Sequence, residues 1–326
     1  MDTFYRKIYG QAWQLLKKNL HLLFFGLFAS LLGFNEIKIA FDFENPGPTL
    51  LSSSVTGWWE TFTTITRANL SWSNLNLTFA LLGLFIILSA VVIIAISSQA
   101  ALMYSAWQSQ KNNKISNPKF NSSLQIGLEK FWPVLGINLI NLLVSYYFLI
   151  FIIQPLITIA SIKGGVIYFL LLLIIIFFVL IPLIAIISFV TRYSIGYIVV
   201  YNQPMFTAFV NGWYLFKINW LITIESALAI IGTTIIYFIA MLAVIFTVFT
   251  PFIITAFIAA GNENLAWTMV GIGTLIGIII LIFATAFYGA YYNLLWSNIF
   301  LRLTSKTPSH SKIHRLAQKH FPHMTR

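Results

Sequence analysis

The sequence contains no cysteine and few charged residues of either sign. Its 326 residues include 19 Lys and Arg and 8 Asp and Glu, so charged residues make up 8% of the chain, against about 25% in soluble domains. Without cysteine, the chain forms neither disulfides nor thiolate metal sites. Because 59% of the residues are hydrophobic and the mean hydropathy is +0.87, we exclude a soluble fold and predict an all-α integral membrane protein.

Long uncharged runs predict six transmembrane helices. We expect these spans at about residues 19–41, 77–107, 131–162, 164–191, 220–260 and 267–300. The fifth run contains 41 residues, which is about 61 Å of helix and roughly twice the thickness of a hydrocarbon core. Because this is too long for one straight span, we predict that the helix crosses the membrane and then bends at Pro251 into a short outer-leaflet piece.

A short motif recurs along the chain and divides it into repeats. WQLLKKN at 13–19 and WYLFKIN at 213–219 share Trp, Leu, Lys and Asn at the same spacing, and IGLEKFW at 126–132 keeps the Leu and the Lys. Each copy follows a segment with spaced aromatic or aliphatic residues and precedes a long apolar run. We therefore predict three repeats of an interfacial amphipathic helix followed by two spans. Their expected limits are about 1–118, 119–203 and 204–303.

The motif also predicts how the chain is anchored at the membrane surface. We expect Trp13 and Trp213 to lie in the headgroup layer, where amphipathic aromatic rings are enriched. The side chains of Lys17, Lys130 and Lys217 are expected to extend toward the lipid phosphates.

The distribution of positive charge sets the predicted orientation. With six spans, all Lys and Arg residues fall on one side except Lys38, Arg67 and Lys163, so we predict a cell-membrane protein with both termini in the cytoplasm. The net charge of +11 is spread over membrane edges, which indicates contact with anionic lipid headgroups rather than nucleic acid. The basic tail, residues 304–326, has four His but no Cys or acid, so we predict no metal site.

Polar residues inside the predicted spans are the candidate functional residues. Glu225, Arg192, Asn138, Gln99 and Ser98 all lie in the cytoplasmic half of their spans. Two interpretations are open: the five residues form an intramembrane polar pocket, or they form a structural network in which Arg192 neutralises Glu225.

Small residues in the last predicted span indicate helix packing. Gly273 and Gly277 are four residues apart in GTLIG, a spacing that puts both on one helix face. We predict that a neighbouring helix packs closely against this face.

These features together resemble a known family. The amphipathic segments, the Trp-x-Leu-x-Lys-x-Asn motif and the Tyr-rich span ends at 103–107, 192–201 and 288–296 are similar to prokaryotic membrane proteins grouped with the glycerophosphoryl diester phosphodiesterase membrane domain. The resemblance covers about residues 1–303 and concerns architecture. A catalytic barrel of about 250 residues does not fit in this chain, so the hydrolase activity of some members is not expected here.

We therefore predict a protein that is not an enzyme and needs no cofactor. The favoured hypothesis is a membrane module that holds, senses or moves a lipid-like or amphiphilic molecule. The alternative is a structural or assembly partner of another membrane protein. An intramembrane hydrolase is disfavoured because it needs a metal set or a paired acid and base, and the span interiors offer Glu225 alone.

Overall fold

The computed structural model describes residues 4–41, 75–111, 118–148, 166–259 and 262–305, with the single positions 151, 155 and 158. All regular elements in these ranges are helical. The positions of Arg67 and Lys163 and the tail beyond residue 305 lie outside the described residues.

The helices follow one another with short connections in the described ranges. In chain order they are α1 (Phe4–Lys18), α2 (Leu22–Phe41), α3 (Leu75–Lys111), α4 (Phe120–Glu129), α5 (Phe131–Phe148), α6 (Val166–Ile175), α7 (Ile181–Tyr201), α8 (Met205–Ile218), α9 (Trp220–Ile258) and α10 (Glu263–Leu303). A π-helical turn, Ile176–Leu180, joins α6 to α7. Pro182, in the first turn of α7, lacks an N–H and so favours a local change of hydrogen-bonding pattern here.

Five helical segments of the described chain are long and apolar enough to cross a membrane. They are Leu81–Lys111, Phe131–Phe148, Leu173–Tyr201, Trp220–Ile258 and Asn264–Leu303. The first predicted span falls on α2, whose apolar part, Leu22–Leu32, is shorter than these five segments. The fold is therefore helical and of the multi-pass membrane type.

The segment formed by α6 and α7 continues beyond the predicted end of the fourth span at residue 191. It runs to Tyr201, because residues such as Tyr193 and Ile198 bury their side chains in the core. Arg192 consequently lies within the helix, nine residues before its end and about 14 Å along its axis.

The structure keeps α9 as one continuous helix of 39 residues with Pro251 inside it, so the chain does not leave the helical conformation at the predicted bend. A proline removes one backbone hydrogen bond from a helix. Packing against α10 supports α9 on both sides of this point, since Phe249 lies against Gly277 and Phe252 against Gly273. Both glycines thus lie at a helix interface, where they accommodate aromatic rings.

The buried core occupies one end of the bundle. Its largest buried side chains include Phe25, Leu102, Ile137, Tyr193 and Leu294, which lie near the start of α2 and α5 and the end of α3, α7 and α10. At this end α1 packs on α10, α4 on α3 and α8 on α7. The opposite halves of the long helices expose large apolar side chains, such as Phe85, Phe178, Phe246 and Ile279, as expected for surfaces in contact with lipid.

Helices α2 and α10 approach each other closely. A Cβ at Gly26 would lie 2.2 Å from the carbonyl oxygen of Ala286, and a Cβ at Gly289 would lie 2.3 Å from the carbonyl oxygen of Gly26. The two backbones are therefore in direct contact, a geometry that small residues permit in membrane bundles. This contact brings the middle of α2 against the part of α10 that carries the candidate site.

Candidate functional site

The two full copies of the motif form the same local structure. The side-chain amide of Asn19 donates to the carbonyl of Leu15 at 2.9 Å, and that of Asn219 donates to the carbonyl of Leu215 at 3.1 Å. Each Asn thereby bonds a carbonyl in the last turn of a short helix, and the carbonyl of Leu215 also accepts from the backbone N–H of Asn219 at 3.1 Å. The spacing of Leu and Asn in the motif thus has a structural cause at both positions.

The predicted anchoring residues of these two copies also lie in similar environments. Trp13 and Trp213 are each 50% exposed, and Lys17 and Lys217 are exposed in the last turns of α1 and α8. Cations at this end of a helix interact favourably with the helix dipole.

Lys130 in the weaker copy lies in a different environment. Its side chain is 16% exposed and pairs with Glu129 at 3.0 Å, and its ammonium also donates to the side chain of Asn202. Asn202 adopts a left-handed conformation and ends α7. Lys130 therefore connects α4 to the end of α7.

Arg192 lies against aromatic side chains of α10. Its guanidinium donates to the hydroxyl of Tyr292 at 3.0 Å, and its central carbon lies 4.7 Å from the ring centroid of Tyr292 and 5.4 Å from that of Trp296. Aromatic faces stabilise a cation in a poorly hydrated position. The charge of Arg192 is thus held at a defined place inside the bundle.

A cavity of about 290 Å³ lies between α2, α9 and α10 and ends at Arg192. We call it the apolar cavity, because most of its walls are hydrophobic. These walls include Phe238, Met241, Leu281 and Ala284. At the end near the core it reaches the polar side chains of Gln99, Arg192 and Asn293.

Stacked tyrosines form one wall of the apolar cavity. The rings of Tyr237 and Tyr288 lie 4.9 Å apart, and those of Tyr288 and Tyr292 lie 5.7 Å apart. The hydroxyls are bonded within the protein: that of Tyr237 donates to the carbonyl of Ala284, that of Tyr288 bonds Thr234, and that of Tyr292 accepts from Arg192. The wall is consequently rigid and presents aromatic surface.

A second, smaller cavity of about 50 Å³ adjoins the first. We call it the polar cavity; it shares Gln99, Arg192 and Asn293 with the apolar cavity. Asn138 also lines it and donates to the side-chain oxygen of Gln99 at 3.1 Å. Its remaining polar lining comprises Asn141, Ser188, Thr191 and Ser297.

The structure therefore brings together three of the five residues predicted for a polar pocket. Gln99, Asn138 and Arg192 line the polar cavity, whereas Ser98 and Glu225 line neither cavity. Ser98 is buried in the core, with 1% of its surface exposed.

Glu225 lies where α1 meets α9, beside Tyr5 and Ser226. Burial raises the pKa of the Tyr5 phenol, and the neighbouring charge of Glu225 raises it further. Arg192 does not neutralise Glu225 in the predicted way, because the guanidinium of Arg192 packs on the aromatic rings of α10.

Asn141, Thr191 and Asn293 line the cavities but were not predicted to do so. For Asn293 a signal was present in YGAYYNLLW, where Tyr288, Tyr292 and Trp296 follow at intervals of four residues. This spacing puts them on one helix face.

Comparisons with protein families, curated proteins and solved structures gave no match to this chain. The resemblance to the glycerophosphoryl diester phosphodiesterase membrane domain family therefore stays a prediction. No group of three or more His, Cys, Asp or Glu side chains that would hold a metal ion occurs within the described ranges.

Proposed function

We propose that this protein is a non-catalytic module of the cell membrane that binds a lipid-like amphiphile in the apolar cavity. The observation that carries the proposal is the position of Arg192: it is the one charged side chain among the described residues that line the two cavities. An apolar cavity that ends at a cation matches a molecule with an apolar chain and a polar end.

The proposed setting is a six-span protein built of three repeats, with both termini in the cytoplasm. The five long apolar segments and the apolar part of α2 support six spans. Two observations support the repeats. Asn19 and Asn219 each donate to the carbonyl four residues earlier, and each short helix packs on the end of a long one. In this orientation the buried core and both cavities lie nearer the cytoplasmic leaflet.

The cavity also indicates where the binding selectivity arises. An acyl chain that moves from the bilayer onto an apolar wall exchanges one apolar environment for another, so hydrophobic burial contributes little. The volume of the apolar cavity, about 290 Å³, is near the lower limit of about 300 Å³ for small-molecule sites. A cavity of this size accommodates part of one acyl chain. Selectivity must therefore come from the polar end, at Gln99, Arg192 and Asn293.

The test is to fill the cavity with a side chain. Ala284→Phe places a ring in the apolar cavity, whereas Ala243→Phe makes the same change at an exposed position of α9. Mass spectrometry of the purified protein should find bound amphiphile in the wild type and in Ala243→Phe, and much less in Ala284→Phe. Elution volume and thermal stability would show that both variants are folded.

An equal amount of bound amphiphile in the folded Ala284→Phe variant would contradict the proposal. That result would favour the alternative function, a structural or assembly partner of another membrane protein.

A further inference from the structure

We infer that the polar cavity binds the headgroup of this amphiphile, and that the headgroup is compact, anionic and hydroxyl-bearing. The inference rests on the proposed function and assigns the chemical class of its ligand. Gln99, Arg192 and Asn293 line both cavities, so a molecule with its chain in the apolar cavity reaches the polar one directly.

The charge of the lining selects an anion. Arg192 supplies a formal positive charge, and the other polar lining residues of the described chain are neutral amides and hydroxyls. In a site of low polarity, hydrogen bonds between a guanidinium and a phosphate or carboxylate are about twice as strong as neutral ones. A zwitterionic headgroup would bring its own cation close to the guanidinium.

Two polar side chains of the cavity indicate that the headgroup also carries hydrogen-bond donors. Thr191 is 5% exposed, and its hydroxyl oxygen is buried without a hydrogen-bond partner. The side-chain oxygen of Asn141 is likewise buried and without a partner. A buried amide oxygen is satisfied only by a donor, and the hydroxyls of a small alcohol provide such donors beside a phosphate.

The amide of Gln99 complements this pattern. Its oxygen accepts from Asn138, which orients the NH₂ group and leaves it as a donor for an anionic oxygen. The cavity thus offers donors at Gln99 and Arg192, an acceptor at Asn141, and at Thr191 a hydroxyl that both donates and accepts.

The size of the polar cavity limits the headgroup. A volume of about 50 Å³ exceeds the roughly 10–15 Å³ that one water requires by this measure, and so admits a few water-sized groups. This volume favours a small headgroup over a bulky one.

The experiment compares three lipids with identical acyl chains on the full-length protein in detergent, by competition measured with native mass spectrometry. Phosphatidylglycerol is anionic with hydroxyls, phosphatidylmethanol is anionic without them, and phosphatidylcholine is zwitterionic. We expect phosphatidylglycerol to bind tightest, with about a tenfold preference over phosphatidylcholine and a smaller one over phosphatidylmethanol.

Substitutions at Arg192 and Thr191 separate the parts of the headgroup. Arg192→Gln should remove the preference for phosphatidylglycerol over phosphatidylcholine, and Arg192→Lys should retain most of it. Thr191→Val, which keeps the shape of the side chain, should reduce only the preference over phosphatidylmethanol. Lys217→Gln is the control, because it removes an exposed cation that lines neither cavity and should change neither preference.

Equal binding of the three lipids to the wild type would overturn the headgroup assignment. If Ala284→Phe still reduced the binding of the three lipids, the proposed function would stand without the headgroup assignment. If Ala284→Phe did not reduce binding, both the assignment and the proposed function would fall. A preference lost equally in Lys217→Gln and Arg192→Gln would also overturn the assignment, since it would reflect surface charge. Should Arg192→Gln not fold, the effect of Thr191→Val on the phosphatidylmethanol comparison decides.

Discussion

The contact between α2 and α10 predicts opposite effects for the same substitution at different glycines. Gly26→Ala adds a methyl group 2.2 Å from the carbonyl oxygen of Ala286, well inside the normal contact distance of about 3.5 Å. The atom that it meets belongs to the backbone of α10, so no side-chain rotation relieves the clash. The two helices must move apart by about 1 Å.

We expect this separation to cost about 1–3 kcal/mol, the usual range for overpacking. Gly271 provides the control, because it lies on α10 with no atom within 4 Å of an added Cβ. At an open helical position, Ala is favoured over Gly by up to about 1 kcal/mol. Gly271→Ala should therefore be neutral or stabilising.

The measurement is the free energy of unfolding, or the thermal midpoint, of each variant in the same detergent. Gly289→Ala should behave like Gly26→Ala, since its added Cβ would meet the backbone of Gly26 at 2.3 Å. A Gly26→Ala protein as stable as the wild type, with Gly271→Ala unchanged, would refute the close approach of these helices.

Three further predictions concern orientation, anchoring and Glu225. The chain has no native cysteine, so an introduced cysteine is labelled specifically. In the six-span topology, Asn262→Cys should react with an impermeant thiol reagent in intact cells, and Gln125→Cys only after permeabilisation. Equal labelling of the two variants in intact cells would contradict the topology. Lys17→Glu or Lys217→Glu should weaken surface anchoring by about 2 kcal/mol: about 1 kcal/mol for the loss of an attractive headgroup contact and about 1 kcal/mol for the repulsive contact that replaces it. Arg should be tolerated at both sites. Unchanged protease sensitivity and insertion in both Glu variants would remove the anchoring role. Glu225→Gln should leave the amount of bound amphiphile unchanged, because Glu225 lines neither cavity. It should alter the free energy of unfolding by no more than about 1 kcal/mol, because Gln keeps hydrogen-bonding capacity. Loss of the amphiphile in a stable variant would show that Glu225 acts in binding.

Composition and hydrophobic runs were sufficient to predict a helical membrane protein, because uncharged stretches of this length have few other structures available. The end of the helix near Arg192 was predicted less well. A charged residue suggests the edge of a span, but Arg192 is accommodated inside by Tyr292 and Trp296. These partners lie on a helix 100 residues further along the chain, and the sequence does not show which helices meet.

The same difficulty explains the residues predicted for the pocket. Depth along a helix follows from residue counting, and Gln99, Asn138 and Arg192 do line one cavity. The rotation of each helix determines which residues share a cavity, and it depends on contacts such as Gly26 with Ala286. Glu225, at similar depth, faces α1 instead and lies beside Tyr5.

The concentration of the core at one end of the bundle affects how a ligand arrives. At the other end the long helices present apolar side chains such as Phe246 and Ile279 to their surroundings, and the apolar cavity lies between α9 and α10 on the way to Arg192. A molecule dissolved in the bilayer meets these surfaces by sideways diffusion, without passing through water. Under the proposed function, occupancy of the site would be governed by the fraction of that lipid in the membrane and would be insensitive to its aqueous concentration, so binding would follow membrane composition.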